Sequence, residues 1–149
     1  AKALAGALDF CNYVKEKGVE VFYVSNRHND DLDATIENLK NEGFPFVDKD
    51  HVILKTETSD KTARRAIVSE THEILLFLGD NLRDFDEIFG ERGEDLGFDV
   101  VDQQKDQFGT KFIVFPNPIY GEWEKAIYKG DFSRSETEKR EMRLDILDK

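Results

Sequence analysis

The run Ile74-Leu75-Leu76-Phe77-Leu78 is apolar at every position and then breaks at Gly79-Asp80. A strand with one wet face alternates apolar and polar residues, whereas a strand that is apolar throughout has to be covered on both faces. Helices on either side of a parallel sheet supply that cover, so the run selects an α/β architecture. The flanking patterns agree with it. Leu4, Ala7, Leu8, Cys11 and Val14 recur at helical spacing, and Gly18 stops the helix. Residues 19–24 are β-branched and aromatic and predict a strand. Residues 31–42 predict a helix with Leu32, Ile36 and Leu39 inward and Gly43 as its stop. A short strand follows at 52–54, and Ser59 or Asp60 can cap a helix reaching about Thr71. Beyond the apolar run, the pattern predicts a helix over 82–89, a short strand over 98–101 and a strand over 111–115. The last is ended by Pro116-Asn117-Pro118, and helices follow over 121–129 and 135–147. Strands alternating with helices mean crossover connections and a doubly wound parallel sheet. Such sheets bind ligands beyond the carboxyl ends of their strands.

With 149 residues, one domain with a real core is expected. The net charge of -11 would repel nucleic acid polymers and anionic membranes, and argues against both as the main partner. It does not exclude a phosphorylated substrate, because one local cationic pocket can hold a phosphate. The single cysteine, Cys11, leaves no intrachain disulfide and reads as core packing. No apolar run approaches the length of a membrane span, and no signal-peptide pattern is present. The opening Ala1-Lys2-Ala3-Leu4-Ala5 reads as a cut end, so the missing signal says nothing about export. The acid- and glycine-rich stretch 83–106 reads mainly as solvated surface with loops.

Three strand-end or helix-start segments carry candidate chemistry. Ser25-Asn26-Arg27 follows a predicted strand, where a hydroxyl and exposed N–H groups can bind phosphate oxygens, but such residues also simply begin polar loops. Lys61, in Ser59-Asp60-Lys61-Thr62, lies at a helix start. A cation there opposes the helix dipole, which makes more sense if Lys61 points at an anion; a solvated lysine is the plainer alternative. In Gly79-Asp80-Asn81-Leu82-Arg83-Asp84, the glycine allows a sharp turn, Asp80 can coordinate a hard cation and Asp84 can hold cation-bound water. Helix capping by Asp80 is the competing reading.

The order of these segments resembles motifs two, three and four of the haloacid dehalogenase superfamily. More narrowly, Phe22-Tyr23-Val24-Ser25-Asn26-Arg27, Gly79-Asp80-Asn81-Leu82-Arg83-Asp84-Phe85 and the tail from Phe112 to Glu124 are similar to the class C, lipoprotein e type bacterial acid phosphatases. The resemblance implies an Mg2+-dependent phosphomonoesterase working through an aspartyl-phosphate. Its substrates would be phosphate monoesters, including nucleoside monophosphates. Ser25 would bind the transferring phosphoryl group, Asn26 and Arg27 would shape that loop, and Lys61 would neutralise charge. Asp80 would ligate Mg2+ and Asp84 would support its outer sphere. The resemblance also implies a bacterial cell-envelope or extracellular location.

The family's Asp-x-Asp nucleophile motif, on a first central strand, is not found after any apolar strand of this sequence. Asp31-Leu32-Asp33 has the right letters, but it follows Arg27-His28-Asn29-Asp30 and falls in a helical pattern, so it reads as a helix N-terminus. The expectation is a C-terminal portion of one phosphatase core, residues 1–149, incomplete at its first central strand. That strand would lie between those at 19–24 and 74–78, in an N-terminal segment of the same protein. Residues 1–149 alone are expected to be inactive. The charged helix within 133–149 would pack on that segment or serve a homodimer. His28, His51 and His72 are scattered without metal-ligand spacing and read as solvated or structural. Trp123, Tyr120 and Phe132 read as packing aromatics, with a place lining the cleft as the alternative. Two rival functions fit the same pattern: a non-catalytic binding relative, and a phosphate-acceptor signalling domain. The second would carry clustered acids after its first strand and explains the Gly79–Asp84 run less well.

Overall fold

The computed structural model describes residues 2–90, 93–119 and 121–147. The chain divides into two compact units, Ala1–Glu73 and Ile74–Lys149. In the first, helix α1 (Ala7–Glu16) is followed by strand β1 (Tyr23–His28), helix α2 (Leu32–Glu42), strand β2 (Val52–Lys55) and helix α3 (Thr62–Ser69). The two strands run parallel, as predicted. Helix α2 stops where expected, with Gly43 at φ 88°, a left-handed conformation that glycine adopts without steric cost. Ile36, Val47, Val52 and Leu54 form the core, with Tyr23, Leu32, Leu39 and Phe44 packed against it. The Tyr23 hydroxyl donates to the Pro45 carbonyl at 2.6 Å, which satisfies its polar end beside that core. Cys11 lies half-buried outside this cluster, and burial pushes its thiol pKa up. The Asp31–Asp33 segment is a helix start: Asp31 closes a 3-10 turn, and Asp33 lies in the first turn of α2, paired with Lys49 at 3.4 Å.

Strand β1 begins four residues later than the pattern predicts and continues through His28. Ladder pairing sets these limits. Tyr23 is opposite Val52, and among the described residues 19–22 have no strand partner. Ser25, Asn26 and Arg27 stand between Val24 and His28, where Leu54 alone stands between Ile53 and Lys55. The surplus residues make a bulge, a distortion that re-aims side chains at strand ends.

His28 is exposed, and the other two histidines are tied into one structural cluster. His51 and His72 converge on Glu20 at the amino ends of β1 and β2: His51 Nε2 is 3.0 Å and His72 Nε2 3.3 Å from the same oxygen, Oε2. The other nitrogen of His51 faces Asp48 Oδ1 at 2.8 Å. Its ring lies against Phe22 and Phe46, with centroids 4.8 and 5.3 Å away. Two ionised carboxylates can only accept, so the His51 ring satisfies both when doubly protonated. Burial lowers its pKa and is the largest single cause, but the hydrogen bonds it donates to Asp48 and Glu20, with their negative charges, together outweigh burial, and the net shift is upward. Asp48 and Glu20 shift downward, chiefly through their bonds to His51. A raised histidine stabilises the fold fully below its unfolded pKa of about 6.5 and loses that contribution as pH rises through the folded value. The depressed carboxylates lose theirs as pH falls through their own folded values. Melting temperatures across pH should therefore separate wild type from His51→Gln most on the acid side of 6.5. The gap should close in alkaline buffer; a pH-independent gap would refute the linkage.

In the second unit, β3 (Phe77–Gly79) runs parallel to β4 (Phe112–Val114), with helices α4 (Phe98–Gln103), α5 (Glu122–Ile127) and α6 (Glu136–Leu147). Of the predicted strand 74–78 only Phe77 and Leu78 pair, and the ladder runs on into Gly79. Leu75, Leu76 and Leu78 are 54%, 37% and 41% exposed, so the two-sided cover expected of the apolar run is not supplied within this unit. Three further expectations are corrected. The predicted helix over 82–89 is two 3-10 turns, Leu82–Asp84 and Glu87–Gly90, because Asn81 and Asp86 side chains accept from the N–H groups of Arg83 and Ile88 and restart the chain twice. The predicted strand over 98–101 is helix α4. Asp95 accepts from Gly97 and Asp99 N–H, and Gly97, at φ 90°, makes the left-handed entry. The stretch read as solvated surface also supplies the core: Phe85 and Phe89 are buried with Phe112, and Phe85 stacks on Phe112 at 5.1 Å and 7°. Glu91 and Arg92 of that stretch lie outside the described residues.

Helix α6 opens on a capping box: Ser135 N–H donates to Glu138 Oε2 at 2.9 Å, and Glu138 N–H donates to Ser135 Oγ at 3.3 Å. It packs on α5 through buried Tyr128, whose hydroxyl donates to Glu124 while accepting from Arg143. Phe132 packs edge-on against Tyr128. Among the described residues, no helix is long and apolar enough to cross a membrane.

Candidate functional site

The bulge in β1 places Ser25 half-buried and Asn26 and Arg27 exposed at the carboxyl half of the strand, not in a loop after it. The Ser25 hydroxyl accepts from Arg27 N–H at 3.3 Å, so the segment folds back on itself. Lys61 takes the N-cap position of α3 and contributes no side-chain cap. Asp60 performs that role instead, accepting from the Thr62 N–H and hydroxyl at 2.8 and 2.7 Å. The helix start is thus satisfied without the Lys61 side chain.

Arg64 joins these two segments. It is 8% exposed, and its guanidinium donates to the Ser25 carbonyl and, at 2.6 Å, to Asn26 Oδ1. From the same group, Nη2 donates to the carbonyls of Thr58, Ser59 and Asp60 at 3.3, 3.3 and 3.0 Å. A planar fork of N–H donors can satisfy several oxygens at once, which lysine cannot match. Arg64 therefore fastens the Ser25-Asn26 bulge to the segment that leads into Lys61.

In the second unit, Gly79 is opposite Val114, and its carbonyl accepts from Phe115 N–H at 2.7 Å. Asp80 is exposed, and its Oδ2 accepts from Asn117 Nδ2 at 2.7 Å. Asp80 does not cap the following turn, because Asn81 does so. Asp84 folds back over Gly79. A Cβ at Gly79 would lie 2.5 Å from Asp84 Oδ2 and 2.7 Å from its Cβ, so only glycine leaves room for this carboxylate against the residue that precedes Asp80. Two hard oxygen donors around a turn that excludes a side chain fit a small divalent cation, which commonly takes one or two carboxylates and completes its sphere with water and phosphate. Among the described residues no three His, Cys, Asp or Glu side chains gather as a metal site.

Ser25, Asn26, Arg27 and Lys61 thus belong to the first unit, with Ser25 and Asn26 tied to the Lys61 segment. Asp80 lies in the second, with Asp84 seated against Gly79, the residue before it. Reading the sequence overlooked Arg64 and Asn117. Arg64 shares a helix face with buried Val68 four positions on, which is a signal that its head needs internal acceptors. Asn117 stands between two prolines at the end of β4, a rigid setting for a polar side chain. Trp123 is a support residue, its indole N–H donating to the Asn117 carbonyl at 3.1 Å. Tyr120 lies outside the described residues.

Parallel strands linked by helices, with polar segments clustered at strand carboxyl ends, make this a Rossmann-like α/β protein. A family model described as HAD superfamily, subfamily IIIB (acid phosphatase), matches residues 1–123, and the chain belongs to that family. The class C acid phosphatase from Bacillus anthracis has a similar structure, with a TM-score of 0.86 at 47% identity over 97% of this chain. The crystal structure of the class C acid phosphatase from Bacillus anthracis with tungstate bound matches with a TM-score of 0.87 at 46% identity, again over 97% of this chain. The present chain spans 61% of the length of each of those chains.

Proposed function

We propose that these residues form part of a class C acid phosphatase that hydrolyses phosphate monoesters, nucleoside monophosphates among them, at the bacterial envelope or outside the cell. The observation that carries this reading is the seating of the Asp84 carboxylate over Gly79, the residue that leads into Asp80. In this proposal Asp80 would hold Mg2+ and Asp84 would support its outer sphere. When bound, Mg2+ would neutralise phosphate charge. Ser25 donates its hydroxyl to a phosphoryl oxygen, Asn26 and Arg27 shape the same loop, and Lys61 neutralises the charge that gathers during transfer. Tungstate, bound by the relative from Bacillus anthracis, is a tetrahedral oxyanion like phosphate, which supports an oxyanion site of this kind.

The proposed nucleophile is an aspartate outside residues 1–149. Its carboxylate attacks phosphorus, the ester P–O bond breaks, and a second aspartic acid protonates the leaving alcohol. Water then hydrolyses the acyl phosphate. The test begins with the cation. In the full-length protein, Asp80→Asn should weaken Mg2+ binding by more than about 100-fold, beyond the cost of losing a merely supporting residue. Calorimetric titration measures this directly, and an isotherm matching wild type would remove Asp80 from the metal site.

A further inference from the structure

We propose that Asn117 is the positioning residue of Asp80, holding its carboxylate so that one oxygen is presented to the cation. This rests on the metal-binding reading of Asp80 above. The parallel pairing of Gly79 with Val114 brings the segments after β3 and β4 out at the same end of the sheet. There Asn117 Nδ2 donates to Asp80 Oδ2 at 2.7 Å. The amide's orientation is set from its other side, since Asn117 Oδ1 accepts from Ile119 N–H at 3.2 Å. The backbone of Asn117 is held as well, its carbonyl accepting from the Trp123 indole. Pro116 and Pro118 restrict the dihedrals on both sides. Gly121 leaves room for the Trp123 ring, since a Cβ there would lie 3.0 Å from Trp123 Cδ1.

Chemistry favours an amide at this position. A neutral donor on Oδ2 fixes the carboxylate and leaves its negative charge for the cation. Lysine or arginine there would also orient Asp80, but would repel the metal. The Pro-Asn-Pro segment thereby takes a place in metal binding.

The experiment uses the full-length protein and Mg2+ alone, without substrate. Asn117→Ala should weaken Mg2+ binding by about 10- to 100-fold in calorimetric titration. The melting temperature in EDTA should stay near wild type. Asn117→Ser, which keeps a shorter donor, should lose less affinity than the alanine variant. Asp80→Asn is titrated in parallel. If it binds Mg2+ like wild type, the metal reading itself fails. If Asp80→Asn weakens binding but both Asn117 variants titrate normally, the positioning role fails alone. A fall in metal-free stability as large as the fall in affinity would also overturn it, marking Asn117 as a loop-shape residue. Should Asn117→Ala not fold, the serine variant decides between the same outcomes.

Discussion

Lys61→Ala in the full-length protein should reduce phosphate monoester hydrolysis by on the order of 10³-fold while leaving the fold in place. The two halves of this expectation have separate causes. Activity falls because phosphoryl transfer depends on charge neutralisation, and Lys61 stands at the N-terminus of α3, where the helix dipole also favours an anion. The fold survives because capping of α3 belongs to Asp60, which binds both the N–H and the hydroxyl of Thr62. Removing a lysine from a helix start also relieves an unfavourable dipole contact, so the melting temperature should hold or rise slightly. Steady-state hydrolysis of p-nitrophenyl phosphate with a parallel circular dichroism melt checks both halves. Turnover within about tenfold of wild type would take Lys61 out of the mechanism.

Gly79→Ala is expected to be nearly as damaging, for steric reasons. The added methyl would meet the Oδ2, Cβ and Cγ of Asp84 at 2.5, 2.7 and 3.0 Å. Rotating the carboxylate away would relieve the first contact but not the second, since Asp84 Cβ moves only with the backbone. The strand cannot easily yield either, because Gly79 is paired opposite Val114 and held by Phe115 N–H. Overpacking of this kind costs about 1–3 kcal/mol. Mg2+ affinity should drop by about 100-fold, because Asp84 is displaced from its seat against Gly79. Adding Asp84→Gly should restore much of the lost stability without restoring cation binding, a non-additive pair diagnostic of direct contact. If Gly79→Ala alone binds Mg2+ normally, the cradle has no role in the metal site.

Much of this arrangement was legible in the sequence where a residue's meaning is local. Gly43 ends α2 because its backbone is left-handed, and the apolar run leads into Gly79-Asp80 as the strand-end reading requires. Legibility failed where a side chain competes with periodicity or where pairing decides. The 82–89 segment has helical spacing, yet Asn81 and Asp86 each bind the N–H two residues on and break it into turns. Val100 and Val101 favour strands intrinsically, but the Asp95-Gly97 entry makes them helical and turns them onto the phenylalanine core. Glu20, His51 and His72 share no spacing that would announce their meeting; only the β1–β2 pairing and the return of α3 bring them together. Asn117 is similar, since its partner Asp80 follows a different strand and is found only through register.

Under the proposed phosphate-binding role of Ser25, Arg64 also bears on the thermodynamics of anion capture. Ordering one residue's backbone costs about 1–2 kcal/mol, and a flexible phosphate loop would incur that loss each time it closed on a ligand. Here Ser25, Asn26, Thr58, Ser59 and Asp60 are immobilised by a single buried guanidinium. Their entropy is surrendered once, when the chain folds, and does not have to be surrendered again at binding. A ligand as small as phosphate, with few atoms to contribute contacts, is the kind that most needs a receptor already rigid.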